Sequence, residues 1–225
     1  SLSGAGSLAT GDRNLTVAGG DVTITTLTAD AGATVETITV SGDFTPAAFT
    51  AENSTVVMNS ADTPVVAKAL AYYNLTLEKD AAANIVNLGS GASIGGKLTV
   101  TTGTLNQGGS LTVTGDIDIA TDGRLNTGDF DLSAANITES GANAVLDASG
   151  QATAGRTVTF SGSMTLVAGG FTAGAGTTVT SSDSGTLTSA GNNVGNFEKT
   201  TTGTLALQDA LDVNGNLAIT AGTLN

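Results

Sequence analysis

The feature that most constrains this chain is an apolar residue that recurs about every twenty positions. Each recurrence lies at the centre of a short, Thr-rich stretch, and successive ones are separated by 18 to 23 residues. A near-constant period of this length indicates a repeat architecture, in which each unit buries its apolar face only against its neighbours. The eleven anchors are Leu15, Ile38, Val56, Leu75, Leu98, Ile117, Ile137, Val158, Val179, Phe197 and Leu217.

Each unit also repeats internally. A second apolar position follows an anchor by seven or eight residues, as at Leu105 and Leu125, and a third pair follows, as at Leu111 and Val113. Apolar and polar residues alternate within these segments, which is the pattern of half-buried strands, and Gly, Asn, Asp and Ser separate them. The sequence therefore predicts an all-β fold: a three-sided parallel β-solenoid of about eleven coils of roughly 20 residues. Segment 65–73 is the one place where we expect a short helical turn.

A longer repeat is superimposed on the short one. The phrase LTVTTGTLN at 98–106 matches LAITAGTLN at 217–225 in six of nine positions, six coils later. This match predicts duplication of a six-coil block within a single solenoid domain that covers residues 1–225. The sequence leaves open whether that domain is a complete subunit or a segment of a longer repeat chain.

The anchors also generate two local predictions. We expect Leu98, Ile117, Ile137, Val158 and Val179 to stack in one buried ladder. We further expect the Asn or Asp residue that directly precedes six of the anchors to stack at one corner and to bond corner backbone groups, as such side chains do in turns. These six residues are Asn14, Asn74, Asp116, Asn136, Asn196 and Asn216.

Composition excludes several functions. The net charge is −13 and the seven basic residues are scattered, so we expect neither nucleic acid nor an anionic membrane as a partner. No apolar run is long enough to insert into a bilayer. His and Cys are absent, which removes Ser-His-Asp and Cys-His catalysis and His- or Cys-based zinc sites.

Paired aspartates remain as candidates for acid–base chemistry or calcium binding. The pairs are Asp116 with Asp118 and Asp129 with Asp131, in which positions i and i+2 share a face of a strand. No long insertion is available to build a cleft around them, so we interpret them as corner and outer-face residues. We accordingly expect no enzyme activity, no cofactor and no metal; a glycan-active enzyme is the least favoured function.

Several phrases carry a resemblance to known proteins. The stretches YYNLTL at 72–77, GKLTVTTGTLN at 96–106 and SLTVTGDIDI at 110–119 resemble the repeats of large bacterial surface β-solenoids, of the adhesin and autotransporter-passenger type. The resemblance extends over most of the chain. It lies in the general composition and pattern of the repeats rather than in a unique motif, and it includes no catalytic motif. It implies an exported parallel β-helix that serves as a stalk, fibre or adhesin at the bacterial cell surface.

The leading hypothesis is an extracellular structural protein whose partners are copies of itself, stacked head to tail. An open solenoid exposes unpaired backbone groups on its first and last coils. In this chain the first residues, Ser1-Leu2, resemble the part of the repeat that would follow Asn225. The alternatives are an adhesin stalk and a binding module, including an ice-binding face made of outward threonines. The predicted end-to-end interface comprises Ser1, Leu2, Leu8, Leu217, Leu224 and Asn225.

Overall fold

The computed structural model describes residues 1–30, 32 and 34–225, and in these residues the chain forms 26 strands and no helix. Short runs rich in Thr, Val, Ile and Leu, broken by Gly and Asx, favour this choice because β-branched side chains suit a half-buried pleated surface. In chain order the strands are β1 (Leu2–Ala9), β2 (Leu15–Val17), β3 (Val22–Thr28), β4 (Thr37–Val40), β5 (Ala48–Thr50), β6 (Thr55–Ser60), β7 (Val65–Ala67), β8 (Ala71–Tyr72), β9 (Asn74–Lys79), β10 (Ile85–Leu88), β11 (Ser93–Ile94), β12 (Leu98–Gln107), β13 (Leu111–Val113), β14 (Ile117–Asn126), β15 (Leu132–Ala134), β16 (Ile137–Glu139), β17 (Val145–Ala148), β18 (Arg156–Phe160), β19 (Met164–Thr165), β20 (Phe171–Ala173), β21 (Thr177–Ser181), β22 (Gly185–Thr188), β23 (Asn196–Lys199), β24 (Thr204–Leu207), β25 (Leu217–Ile219) and β26 (Thr223–Leu224).

The strands form three sides of a solenoid of about eleven turns, and each strand pairs in parallel with the equivalent strand of the next coil. Side 1 is β2-β4-β6-β9-β12-β14-β16-β19-β22-β24-β26. Side 2 contains β7, β10, the second halves of β12 and β14, β17 and β20; side 3 runs β8-β11-β13-β15-β18-β21-β23-β25. The predicted three-sided parallel β-solenoid is confirmed.

Two features join the sides into one stack. Strands β12 and β14 bend around the corner from side 1 to side 2, with an irregularity in their register between Val100 and Thr102. The separate sheet β1-β3-β5 extends sides 2 and 3 towards the N-terminus, because Phe44 bridges Val22 of β3 to Ala67 of β7. The ring of Phe49 in β5 also lies 6.1 Å from that of Tyr72 in β8, which continues side 3.

The core is a column of inward side chains along each side. On side 1, Leu98 pairs with Leu75 and with Ile117, and all three are fully buried. Sides 2 and 3 carry equivalent columns through Leu105 and Leu132. Because the inward residues of all three sides face one another, they form one continuous hydrophobic core along the solenoid.

The predicted single ladder of anchors is wrong beyond Ile137. Ile137 stacks on Met164 on side 1. Val158 instead lies between Leu132 and Val179 in the column of side 3, so both valines belong to that side. The coil after Ile137 is longer than the others because residues 149–155 form an extended corner between β17 and β18. Counting a constant period across that corner moves the anchors from side 1 to side 3, and all five residues are nevertheless fully buried.

The long repeat falls on different sides in its two copies. LTVTTGTLN at 98–106 occupies sides 1 and 2, whereas LAITAGTLN at 217–225 occupies sides 3 and 1. The matching phrases are therefore displaced by one side of the triangle. The expected helical turn at 65–73 is wrong, because this segment contains strands β7 and β8.

The predicted role of the corner Asx residues is confirmed for the asparagines that bond to the next coil. The Oδ1 of Asn74 accepts the backbone N–H of Lys97 at 2.8 Å, and that of Asn136 accepts the N–H of Ser163 at 2.7 Å. The expectation of one common corner is wrong, since these asparagines precede side 1 whereas Asn196 precedes side 3. Equivalent bonds join Asn14 to Thr37, Asn196 to Asn216, Asp21 to Asp43, Asp43 to Val66 and Asp131 to Thr157.

These bonds explain why a glycine precedes the bonded residue at several corners. A Cβ on Gly96 would lie 2.4 Å from Asn74 Oδ1, and one on Gly162 would lie 2.4 Å from Asn136 Oδ1. Real Cβ atoms do not approach an oxygen so closely, so the side chain of one coil requires glycine in the next. This contact accounts for the Gly-x-apolar phrase that recurs in the sequence.

Removing one corner amide tests its contribution to stability. We expect Asn136→Ala to lower the free energy of unfolding by about 1 to 3 kcal/mol, because the Ser163 N–H loses its acceptor in a partly buried corner. The control is Asn143→Ala: this exposed amide contacts only the Asp122 side chain, and its loss should cost less than about 0.5 kcal/mol. Urea denaturation measures both, and equal effects would contradict the corner role.

The inward and outward positions of side 1 provide a second test. Ile137→Asp places an unpaired charge in the core and should cost more than about 4 kcal/mol. Thr165→Asp, which lies on the outer face of the neighbouring coil, should change stability by about 0.5 kcal/mol. An unchanged melting temperature for Ile137→Asp would show that this residue does not face the core.

Candidate functional site

The predicted interface residues lie on the first and last coils. Leu2 and Leu8 of β1 pair with Val22 and Leu27 of β3 and are half-buried, while Ser1 is exposed. Strand β1 ends its sheet, so in the described chain its other edge pairs with no strand. The N-terminal coil thus presents a β-edge backed by leucine side chains.

The C-terminal coil has the same character. Leu217 pairs with Phe197 on side 3 but remains 56% exposed, and Ile219 beside it is 44% exposed. Leu224 pairs with Leu205 on side 1 and is half-buried. Asn225 is exposed and bonds to β24 through its backbone. The predicted residues therefore form two separate surfaces, one at each end of the solenoid.

The first aspartate pair is occupied by structural contacts. Asp116 accepts a hydrogen bond from the Asn136 amide at 2.7 Å. Asp118 contacts Lys97 Nζ at 3.2 Å and accepts the Ser140 hydroxyl at 2.9 Å. Both carboxylates thus join their coil to a neighbouring coil.

The second pair supports the extended corner at 149–155. Asp129 accepts hydrogen bonds from the hydroxyl and the backbone N–H of Thr153, and these bonds, chiefly the one from the hydroxyl, hold the pKa of Asp129 below its usual range. Arg156 lies 3.6 Å from Asp129 and 3.5 Å from Asp131. Gln151, which is fully buried, donates its amide to the Phe130 carbonyl at 2.6 Å. Here too the acidic residues stabilise a turn.

No cluster of His, Cys, Asp and Glu suited to a metal ion occurs among residues 1–30, 32 and 34–225. A surface depression of about 490 Å³ is shallow and crosses three coils at the corner between sides 2 and 3. Its walls are glycines, alanines and asparagines together with Phe171 and Thr172, and none of these side chains is an acid or base.

Sequence reasoning missed a buried carboxylate. Glu139 occupies an inward position of side 1, is 2% exposed, and accepts the backbone N–H groups of Leu146 and Val167, each at 2.8 Å. Burial raises its pKa to about 7, although the two N–H bonds oppose that rise. The sequence did carry a signal, because Glu139 lies two positions after the anchor Ile137 and positions i and i+2 share a face of a strand; its pairing with the core residue Ile119 agrees.

Two lysines are also buried. Lys199 is fully buried and donates its ammonium group to the Thr201 carbonyl at 2.7 Å. Lys79 is 3% exposed, its Nζ has no hydrogen-bond partner in the described part of the chain, and burial lowers its pKa. Lys79 is the last residue of β9 on side 1, and Lys199 is the last residue of β23 on side 3. At these positions the long side chains fill corners of the core.

Comparisons with known proteins identify no family for this chain. No family model matches this chain, and neither a curated protein nor a solved structure matches it. In the described residues, no helix has the length and apolar character needed to cross a membrane.

The buried carboxylate makes stability depend on pH. The folded-state pKa of Glu139 lies near 7, above its ordinary value of 4.5, so its contribution to stability is complete below pH 4.5 and is lost as pH rises through 7. Across that window we expect the free energy of unfolding to fall by an amount on the order of 3 kcal/mol. Glu139→Gln should remove this fall, whereas Glu198→Gln, on the outer face of side 3, should retain it. Parallel profiles for wild type and Glu139→Gln would contradict the assignment.

Proposed function

We propose that this protein is a structural element, a β-solenoid that extends by head-to-tail stacking on further copies of itself. The observation that carries the proposal is the apolar surface exposed on the terminal coils. Leu217 and Ile219 on side 3 are 56% and 44% exposed, and strand β1, which contains Leu2 and Leu8, has an edge that pairs with no strand in the described chain.

Each side of one copy would meet the same side of the next. Leu8 would stack on the exposed Leu217 on side 3, and strand β2, which contains Leu15, would pair with strand β26, which contains Leu224, on side 1. On side 2, Leu2 would cover the segment that contains the partly buried Leu211 and Val213. The contact therefore adds leucine side chains to existing core columns and pairs the backbone groups of both edges.

A contact between different ends of identical subunits does not close on itself, so it produces a filament. Eleven coils at about 4.8 Å each give an axial repeat on the order of 50 Å. The same stacking made within one longer polypeptide would describe a stalk segment of an adhesin. The acidic, Thr-, Gly- and Asn-rich composition, similar to that of bacterial surface repeats, supports an extracellular, bacterial-surface location for either form.

Assembly of the purified chain tests this proposal. We expect electron microscopy and sedimentation to reveal filaments with the axial repeat given above. Leu217→Lys should abolish or strongly reduce them, because it places a charge where two apolar columns meet. The control Val66→Lys changes an exposed valine on the outer face of side 2 and should leave assembly intact. A monodisperse 21.8 kDa monomer at high concentration would overturn the head-to-tail proposal.

A further inference from the structure

The outer surface of side 1 carries a row of residues that are mostly threonine. One outward position from each of nine successive coils pairs with the equivalent position of the next coil, and seven of the nine are threonine. We call this set the threonine row; it consists of Thr16, Thr39, Val57, Thr76, Thr99, Asp118, Thr138, Thr165 and Thr188.

The corrected register changes the members of this row at its C-terminal end. By anchor counting, the residue after each anchor continues the row through Thr159, Thr180 and Glu198, but these residues lie on side 3. On side 1 the row continues instead through Thr165 and Thr188. The acidic interruption by Glu198 therefore belongs to another surface.

The fold holds these side chains in a fixed lattice. Strands of a parallel sheet are about 4.8 Å apart, so the row repeats at that interval along the solenoid. Threonine is β-branched and stiff about χ1, and beyond Thr16 each member is half-buried between its neighbours. Every threonine presents a hydroxyl, which both donates and accepts, beside a methyl group. The row is therefore an array in which hydroxyl and methyl groups recur at a constant spacing.

The charge of this surface indicates an uncharged partner. The chain carries a net charge of −13, yet the row contains one ionisable residue, Asp118, and Lys97 lies 3.2 Å from it. The equivalent row on side 3 is less regular, since it reads Thr112, Ser133, Thr159, Thr180, Glu198 and Ala218. The threonine row is thus a nearly uncharged, repetitive strip on the surface of an acidic molecule.

We propose that the threonine row binds ice. A nearly uncharged row with a constant spacing is complementary to a repeating lattice of water molecules, which offers donors and acceptors at regular intervals. The row contains no aromatic side chain, the feature that would favour a neutral sugar, and the depression that includes Asp118 and Thr138 is lined mostly by polar and charged side chains. This function uses the outer face of side 1 and is independent of the end-to-end stacking proposed above.

The test compares wild type with two double variants in growing ice. We expect wild-type protein to partition into a slowly growing ice hemisphere, to shape ice crystals, and to separate the freezing and melting temperatures. Thr138→Lys with Thr165→Lys places two charges in adjacent coils of the row and should abolish all three effects. The control, Ser133→Lys with Thr159→Lys, makes the same change in adjacent coils of side 3 and should retain them.

Circular dichroism on each variant verifies folding. Exclusion of the wild-type protein from ice, with no effect on crystal shape, would overturn the proposal without any reference to the variants. Equal loss of activity in the folded side-1 and side-3 variants would also overturn it, because binding would then not depend on the threonine row. Neither result would bear on filament formation, which electron microscopy measures separately.

Discussion

The hydrogen bonds between the main chains of successive coils are the interaction on which the rest of this structure depends. Each strand is short, from two to ten residues, and pairs in parallel with residues about twenty positions away. A single coil cannot satisfy its own N–H and C=O groups, so it is stable only when stacked in register on a neighbour. Every other feature must preserve that register.

The corners preserve it by a specific contact. An Asn or Asp oxygen in one coil accepts a backbone N–H in the next, and a glycine below that N–H leaves room for the oxygen, as with Asn74 and Gly96. Where a corner lengthens, at 149–155, other polar side chains take over: Gln151 bonds to the preceding coil, and Asp129 holds Thr153. The sides can therefore continue straight past a corner of different length.

Much of this architecture could be predicted from the sequence, because burial in a β-solenoid leaves a strong periodic pattern. The parallel fold, the three sides, the number of coils and the bonding of corner asparagines all follow from spacing and residue type. The register after Ile137 could not be predicted in this way. Val158 is an apolar residue at the expected interval, and spacing alone does not distinguish a new anchor on side 1 from a residue of side 3 that an extended corner has displaced.

Buried polar residues were the second limit of sequence analysis. Alternation from Ile137 places Glu139 on the inward face, but a carboxylate is so rarely buried that residue type argued against that position; its pairing with Ile119 shows that the alternation holds. For function, the ends and the outer face of side 1 consist of ordinary β-sheet residues. Their arrangement, rather than any motif, makes them candidates, and so the proposals rest on which residues share a side.

The most direct test of this account is the identity of the carbonyl that accepts the Ile137 amide. In the structure the Ile137 N–H donates to the Ser163 carbonyl, with 3.0 Å between nitrogen and oxygen. Scalar coupling across hydrogen bonds, measured by NMR on the deuterated protein, reports donor and acceptor residue by residue. The account predicts coupling from the Ile137 nitrogen to the Ser163 carbonyl carbon; coupling to the Thr157 carbonyl, as a constant period would require, would contradict it.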